Sequence, residues 1–133
     1  MKKIISVITS ILLLLSLCSC QRYVSSYSAI GLVKTQTSDS CRAKFTSLKG
    51  QLVFKLQSSD NSKSGRILYT VELDEGAINL YYDADGEKIQ LDEVRSGEMI
   101  SGEGLIVVGD KPIYIIIESK EGAKGSVYVE LDC

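Results

Sequence analysis

The chain of 133 residues carries 17 acidic and 15 basic side chains, no histidine, no tryptophan and a single proline. A formal charge of −2 with no basic run excludes a nucleic-acid binder, which works through clustered Lys and Arg on phosphates. The missing histidine removes the commonest general base and the imidazole ligands of zinc. Lys2 and Lys3 open the chain as a charged n-region, and Ile4 to Leu17 follow as an apolar h-region. The apolar stretch is shorter than the roughly 20 residues of a comfortable transmembrane helix. Gln21, Arg22 and a serine-rich run come next, with no stop-transfer pattern.

The run Leu17-Cys18-Ser19-Cys20 resembles the bacterial lipobox: aliphatic, tolerant, small, then cysteine. The resemblance implies cleavage before Cys20, acylation of its sulfur, and an extracytoplasmic protein held on a membrane. Cys18 is the poorer lipid position because Leu17 before it is too large for the small site. Two or three acyl chains give stable attachment where one is marginal. Loss of Lys2 and Lys3 with the leader takes the remainder to about −4. Anionic lipid repels such a domain, so lipid rather than charge must hold it there. Gln21 after Cys20 is not an acidic retention signal of the inner-membrane type. The expected organisation is a leader over 1–19, a Ser/Thr-rich tether over 20–40 and a domain over 41–133. Scattered apolar residues of the tether (Tyr23, Val24, Tyr27, Ile30) leave room for a short element docking on the domain.

From Arg42 onward the apolar pattern has period two, broken by turn residues. Arg42 to Leu48 reads as a first strand, and Leu52, Phe54 and Leu56 mark a second. Residues 58–65 are polar throughout and read as a loop. Ile67, Tyr69, Val71 and Leu73 form the inner face of the next strand, and Glu75-Gly76 turns the chain. Ile78, Leu80 and Tyr82 alternate with Asn79 and Tyr81 up to the hairpin signal Asp83-Ala84-Asp85-Gly86. Ile89, Leu91 and Val94 lie on the returning strand, and Ser96-Gly97 turns again. Gly102 and Gly104 suggest a bulge or bend. Ile113 to Ile117 is apolar without alternation, a central strand covered on both faces. Residues 121–125 read as a turn into Val127, Val129 and Leu131. This pattern predicts an all-β domain, an antiparallel β-sandwich of seven or eight short strands, with a small barrel as the alternative.

Cys41 and Cys133 remain after Cys18 is cleaved away and Cys20 takes lipid. If the first strand pairs antiparallel with the last, Cys41 comes opposite Cys133. An exported chain keeps such a disulfide, worth about 3–5 kcal/mol by loop closure; two free thiols are the other outcome. The order Glu-Gly, Ile-x-Leu, Asp-x-Asp-Gly and a late Gly-Ala-Lys-Gly-Ser is similar to small exported sandwich lipoproteins of Gram-positive bacteria. It also resembles sandwich accessory domains appended to secreted peptidases. Both resemblances rest on turn chemistry over residues 42–132 and imply a fold, with no assigned activity.

Asp83 and Asp85 form an oxygen-rich tip that calcium could use, although Gly86 directly after Asp85 departs from an EF-hand loop. A tight hairpin needs the same residues for backbone reasons. Tyr81 and Tyr128 are expected to point outward, opposite the apolar sets Ile78, Leu80, Tyr82 and Val127, Val129, Leu131. Outward tyrosines suit a protein contact, a sugar platform or plain cross-strand pairing. No catalytic residue and no cofactor is expected, because no thiol or carboxylate has a plausible activating partner or cleft. The leading functional expectation is a lipid-anchored module that contacts an envelope or extracellular protein. The alternative is a module for carbohydrate or cell-wall glycan. A protein contact needs a wide apolar patch, whereas a sugar site needs aromatics flanked by polar groups.

Overall fold

The computed structural model describes residues 23–58, 64–107 and 111–132. Within them lie eight strands: β1 (Ser26–Ile30), β2 (Val33–Gln36), β3 (Ser40–Leu56), β4 (Ser64–Glu75), β5 (Ala77–Asp83), β6 (Ile89–Arg95), β7 (Met99–Val107) and β8 (Ile113–Asp132). Every pairing is antiparallel. The eight strands run as five long ribbons, because β1 continues into β2, β4 into β5 and β6 into β7 along the same neighbours. β3 pairs with β1 through Gln51 to Ser47 and with β2 through Lys44 to Cys41. β8 pairs through Tyr114–Glu118 with β5 and through Lys124–Asp132 with β4. The ribbon order is β1/β2, β3, β8, β4/β5, β6/β7.

This five-ribbon sheet is folded in half across its width, which makes an antiparallel β-sandwich and not a closed barrel. Layer I holds β1, the end of β3, the start of β8, β5 and β6. Layer II holds β2, the start of β3, the end of β8, β4 and β7. Each ribbon has a glycine in the fold band: Gly31 (φ 64°), Gly50 (φ 111°), Gly76 (φ 80°), Gly97 (φ 82°) and, on β8, Gly125. Hydrogen bonding survives the bend, with Leu73 N donating to Glu98 O at 3.0 Å and Gly97 N to Leu73 O at 2.9 Å. At the opposite, open end β3 comes back on itself, and Gln57 N donates to Ser38 O at 2.7 Å.

The core lies between the layers and collects the inward positions of both. Phe45, Leu48, Leu52, Phe54, Ile67, Val71, Leu80, Ile115, Val127 and Val129 are all buried. These are the alternating residues that the period-two pattern places inside. Ile115, Ile116 and Ile117 are all fully buried and β8 is paired on both sides, as the unbroken apolar run requires.

Several expectations are corrected. Residues 42–56 form one strand with bulges between Phe45 and Gly50, and residues 121–125 lie inside β8 instead of turning the chain. The tether assigned to 20–40 ends by Ser26, where the chain joins the sheet as its edge ribbon. Gly102 and Gly104 mark no bulge, since β7 pairs with β4 without a register shift. They leave room for side chains: a Cβ at Gly102 would collide with the Tyr69 phenol, and one at Gly104 would meet Leu91 at 2.8 Å. Tyr69 uses that space to donate to Leu91 O at 3.2 Å and Asp92 Oδ2 at 3.1 Å, tying β4 to β6.

A further correction concerns Cys41. The first and last long strands do pair, but Cys41 stands opposite Val129 and not Cys133. By Asp132 the strand has already run three residues, about 10 Å, past Val129 and is paired with Arg66 of β4, whereas a disulfide needs Cα atoms within about 7 Å. Cys41 is a free thiol, 1% exposed, and Cys133 lies outside the described residues. Burial pushes its pKa from 9.0 up to about 12. The raised value means that burial stabilises the fold fully below about pH 9, and that this contribution is lost as the pH rises towards 12.

Two predictions follow from this architecture. Gly50→Ala should cost about 2–4 kcal/mol in urea unfolding, because it adds left-handed strain to a collision with Ser26 O. Gly97→Ala, with open space around its Cβ, should cost only about 1–2 kcal/mol; equal losses would discount the collision. In a Cys133→Ser background, native Cys41 should resist alkylation at pH 8 and react on unfolding. Cys41→Val should also flatten part of the stability loss between pH 9 and 12, read from urea midpoints.

Candidate functional site

With the inner faces committed to the core, the outer faces of the two layers remain for recognition. The two tyrosines singled out from the sequence both point outward, but on opposite layers, so they cannot act together. Tyr81 sits on layer I and Tyr128 on layer II.

On layer I, Tyr81 lies in register with Ile116, which in turn faces Val53. Ile116 points away from the core and is nonetheless fully buried in this outer layer. Lys88 Nζ sits 4.3 Å from the Tyr81 ring centroid and pairs with Glu118 at 2.6 Å. Gln90 Nε2 donates to Asn79 Oδ1 at 3.1 Å. Asp83 is in register with Tyr114, so both face outward. Tyr23 covers them: its ring centroid is 5.3 Å from that of Tyr114, and its hydroxyl donates to Asp83 Oδ2 at 2.7 Å. Asp83 Oδ1 also accepts from Gly86 N at 2.6 Å, and the residue is buried. The proposed calcium tip is thus a turn built on a buried carboxylate, with Asp85 left exposed beside it. Among the described residues no group of three His, Cys, Asp or Glu side chains could hold a metal ion.

On layer II, the register aligns Ser101, Thr70, Tyr128, Arg42 and Thr35 in one row across five strands. The next row is Met99, Glu72, Ser126, Lys44 and Val33. From these rows Thr70, Tyr128, Arg42, Glu72, Ser126, Lys44 and Val33, with Asp74, Lys124 and the fold-band residues Gly31, Thr46 and Gly125, line an open groove of about 740 Å³. Tyr128 is half-buried in its floor. Its hydroxyl donates to Glu130 Oε2 at 2.7 Å, and that carboxylate holds the phenol above its ordinary pKa of 10.0, with Arg42 opposing. The Arg42 guanidinium lies 5.0 Å from the ring centroid. Arg42 and Lys44 stand on β3 and Glu72 and Asp74 on β4, with β8 between them. The two walls are therefore two strand spacings apart, about 10 Å. Among the described residues none of these four charges, nor Lys124, forms an ion pair.

Sequence reasoning found the outward tyrosines and missed what surrounds them. Arg42 and Lys44 were legible as polar alternates of Cys41, Ala43 and Phe45. Tyr114 was hidden inside an unbroken apolar run, and Tyr23 inside the presumed tether.

No family model and no curated protein matches the sequence. Solved structures with a similar course of chain include a mutant family 29 carbohydrate-binding module complexed with mannohexaose, at TM-score 0.42 and 14% identity over 82% of this chain and 91% of that one. A second family 29 mutant gives TM-score 0.43 and 10% identity over 80% and 78%. A family 4 module gives TM-score 0.41 and 10% identity over 86% and 82%.

The hydrogen bonds on Asp83 generate a stability prediction. Asp83→Ala should cost about 1–3 kcal/mol by leaving Gly86 N and the Tyr23 hydroxyl without their acceptor. Urea unfolding with and without added calcium checks it: a wild-type protein stabilised by calcium, and a variant that is not, would restore the metal reading.

Proposed function

We propose that this protein is a lipid-anchored, extracytoplasmic glycan-binding module whose site is the layer II groove around Tyr128. The observation that carries the reading is the half-buried aromatic ring in the floor of an open groove whose charged side chains form no ion pair among the described residues. A sugar ring laid on such a floor packs its apolar face on the tyrosine. Its hydroxyls meet donors on one wall (Arg42, Lys44) and acceptors on the other (Glu72, Asp74). Thr70 and Ser126 supply groups that both donate and accept. A cation lies over each ring, Lys88 over Tyr81 and Arg42 over Tyr128. Tyr81 is the poorer platform because Glu118 holds Lys88 in place, whereas among the described residues Arg42 has no ion pair to hold it over Tyr128.

The protein-contact reading, first on sequence grounds, has less support on the two outer faces. Most of the exposed large apolar side chains sit on the edge ribbons: Ile30 and Val33 on one, Met99, Leu105 and Val107 on the other. The layer II face between them is dominated by polar and charged groups. Membrane attachment rests on the Leu17-Cys18-Ser19-Cys20 run, which lies outside the described residues. Acylated Cys20 would make the membrane the protein's standing partner.

Affinity electrophoresis through gels holding purified cell-wall glycan or soluble hexose polymers tests the site. At least one polymer should retard the wild-type protein. Tyr128→Ala should weaken that binding roughly tenfold, equivalent to about 1.4 kcal/mol, while Tyr81→Ala leaves it unchanged. Retardation by no polymer would overturn the glycan reading, and an unaffected Tyr128→Ala would remove it from this groove.

A further inference from the structure

We infer that the open end of the sandwich, where Tyr23 is fixed, lies directly against the bilayer, with the fold band pointing away from it. The inference rests on the proposed acylation of Cys20. Its structural half is independent of that proposal. Tyr23 is not at the end of a loose tether: its ring packs at a tilt of 58° against that of Tyr114, and its hydroxyl donates to Asp83. The two residues after it are held as well. Gln51 Nε2 donates to Val24 O at 3.1 Å, and Val53 N donates to Ser25 Oγ at 3.0 Å. Only Gln21 and Arg22 separate Tyr23 from Cys20. Three residue steps, fully extended, span about 10 Å. A lipid on Cys20 therefore cannot leave this end of the domain by more than the thickness of a headgroup layer.

The surface at this end suits such a position. Tyr82 bridges the layers here, its hydroxyl donating to Leu105 O at 3.4 Å. Around it Ile89, Leu105 and Val107 are exposed, Leu105 by 79%. Exposed apolar side chains beside an acyl anchor bury themselves in the interfacial region of a bilayer, adding to the hold of the lipid. Asp85 and Glu87 stand on the same rim with Lys55 and Lys88 near them, so the apolar side chains and not charge select the surface, and zwitterionic headgroups suffice. The layer I strands are about six residues long from the open end to the fold band, which places the band about 20 Å further out. Lys124, Asp74 and Gly125 of the groove lie at that distal band. The groove then samples polymer that reaches within a domain length of the membrane, and its ligand class narrows to membrane-proximal glycan.

The test uses the lipidated full chain, with Cys133→Ser and with Cys41 left buried, in phosphatidylcholine vesicles doped with nitroxide-headgroup lipid. A fluorophore at Glu87→Cys should lose most of its emission, while one at Glu98→Cys in the fold band keeps it. A long Gly/Ser insertion between Arg22 and Tyr23 should abolish the difference. Equal quenching at the two positions without the insertion overturns the orientation. Failure of the protein to float with vesicles, or a membrane-extracted mass without acyl chains, overturns the anchor itself, and the orientation with it.

Discussion

The structure depends on carrying a hydrogen-bonded sheet around a sharp fold without interrupting its pairing. An extended ribbon that bends back on itself must keep its inner side chains pointing inward and its backbone bonded to both neighbours. L-residues satisfy this poorly, because the bend needs φ values that place Cβ against a carbonyl. The chain answers with a positive-φ glycine on each ribbon, all inside one band that spans Phe45 to Gly50 on β3. Where neighbouring backbones press closest, at Gly50 against Ser26 O and at Gly125 against Glu72 O, there is no space for a Cβ at all. The two layers, the closed core and the separation of an open end from a folded end all follow from this band.

That device also explains which parts of the structure were legible in the chain. Inner faces were readable wherever burial is one-sided, as in Ile67, Tyr69, Val71 and Leu73, because alternation reports only which face is covered. The bends were read as turns, since a glycine breaks the local pattern in the same way whether the chain reverses or folds over. What distinguishes the two is whether the neighbours bend at the same level, and that is a non-local fact. The edge ribbon over Ser26–Gln36 was legible only as room for a short docking element, for a different reason. An edge needs only backbone bonds to one partner, so its side chains are almost all exposed and carry no periodic signal.

The disulfide shows a further limit of pattern. Sliding β8 along β3 by four residues keeps every side chain on its own face, so alternation is equally content with Cys41 opposite Cys133 or opposite Val129. The register is set instead by the bulges between Phe45 and Gly50, where β3 passes through the fold band. It is held also at the start of β3, where Leu131 N of β8 donates to Asp39 O at 2.8 Å. Cys41 consequently packs as a small apolar side chain, and its high pKa records the same burial that makes it inert.

The candidate site emerges from a difference in how the two outer faces use their charges. On layer I the polar groups are spent on one another: Lys88 on Glu118 and Tyr81, Gln90 on Asn79, Asp83 on Tyr23 and Gly86. Adjacent strands bring those partners within reach. On layer II the cations Arg42 and Lys44 and the carboxylates Glu72 and Asp74 are divided by the width of β8, a gap too wide for an ion pair to close. Water satisfies them at little cost in the free protein. A ligand that spans the gap replaces that water with hydrogen bonds on both sides at once, and with a ring contact on Tyr128 between them. Strand order alone creates this situation, since a direct β3–β4 neighbourhood would have let the same four residues neutralise each other.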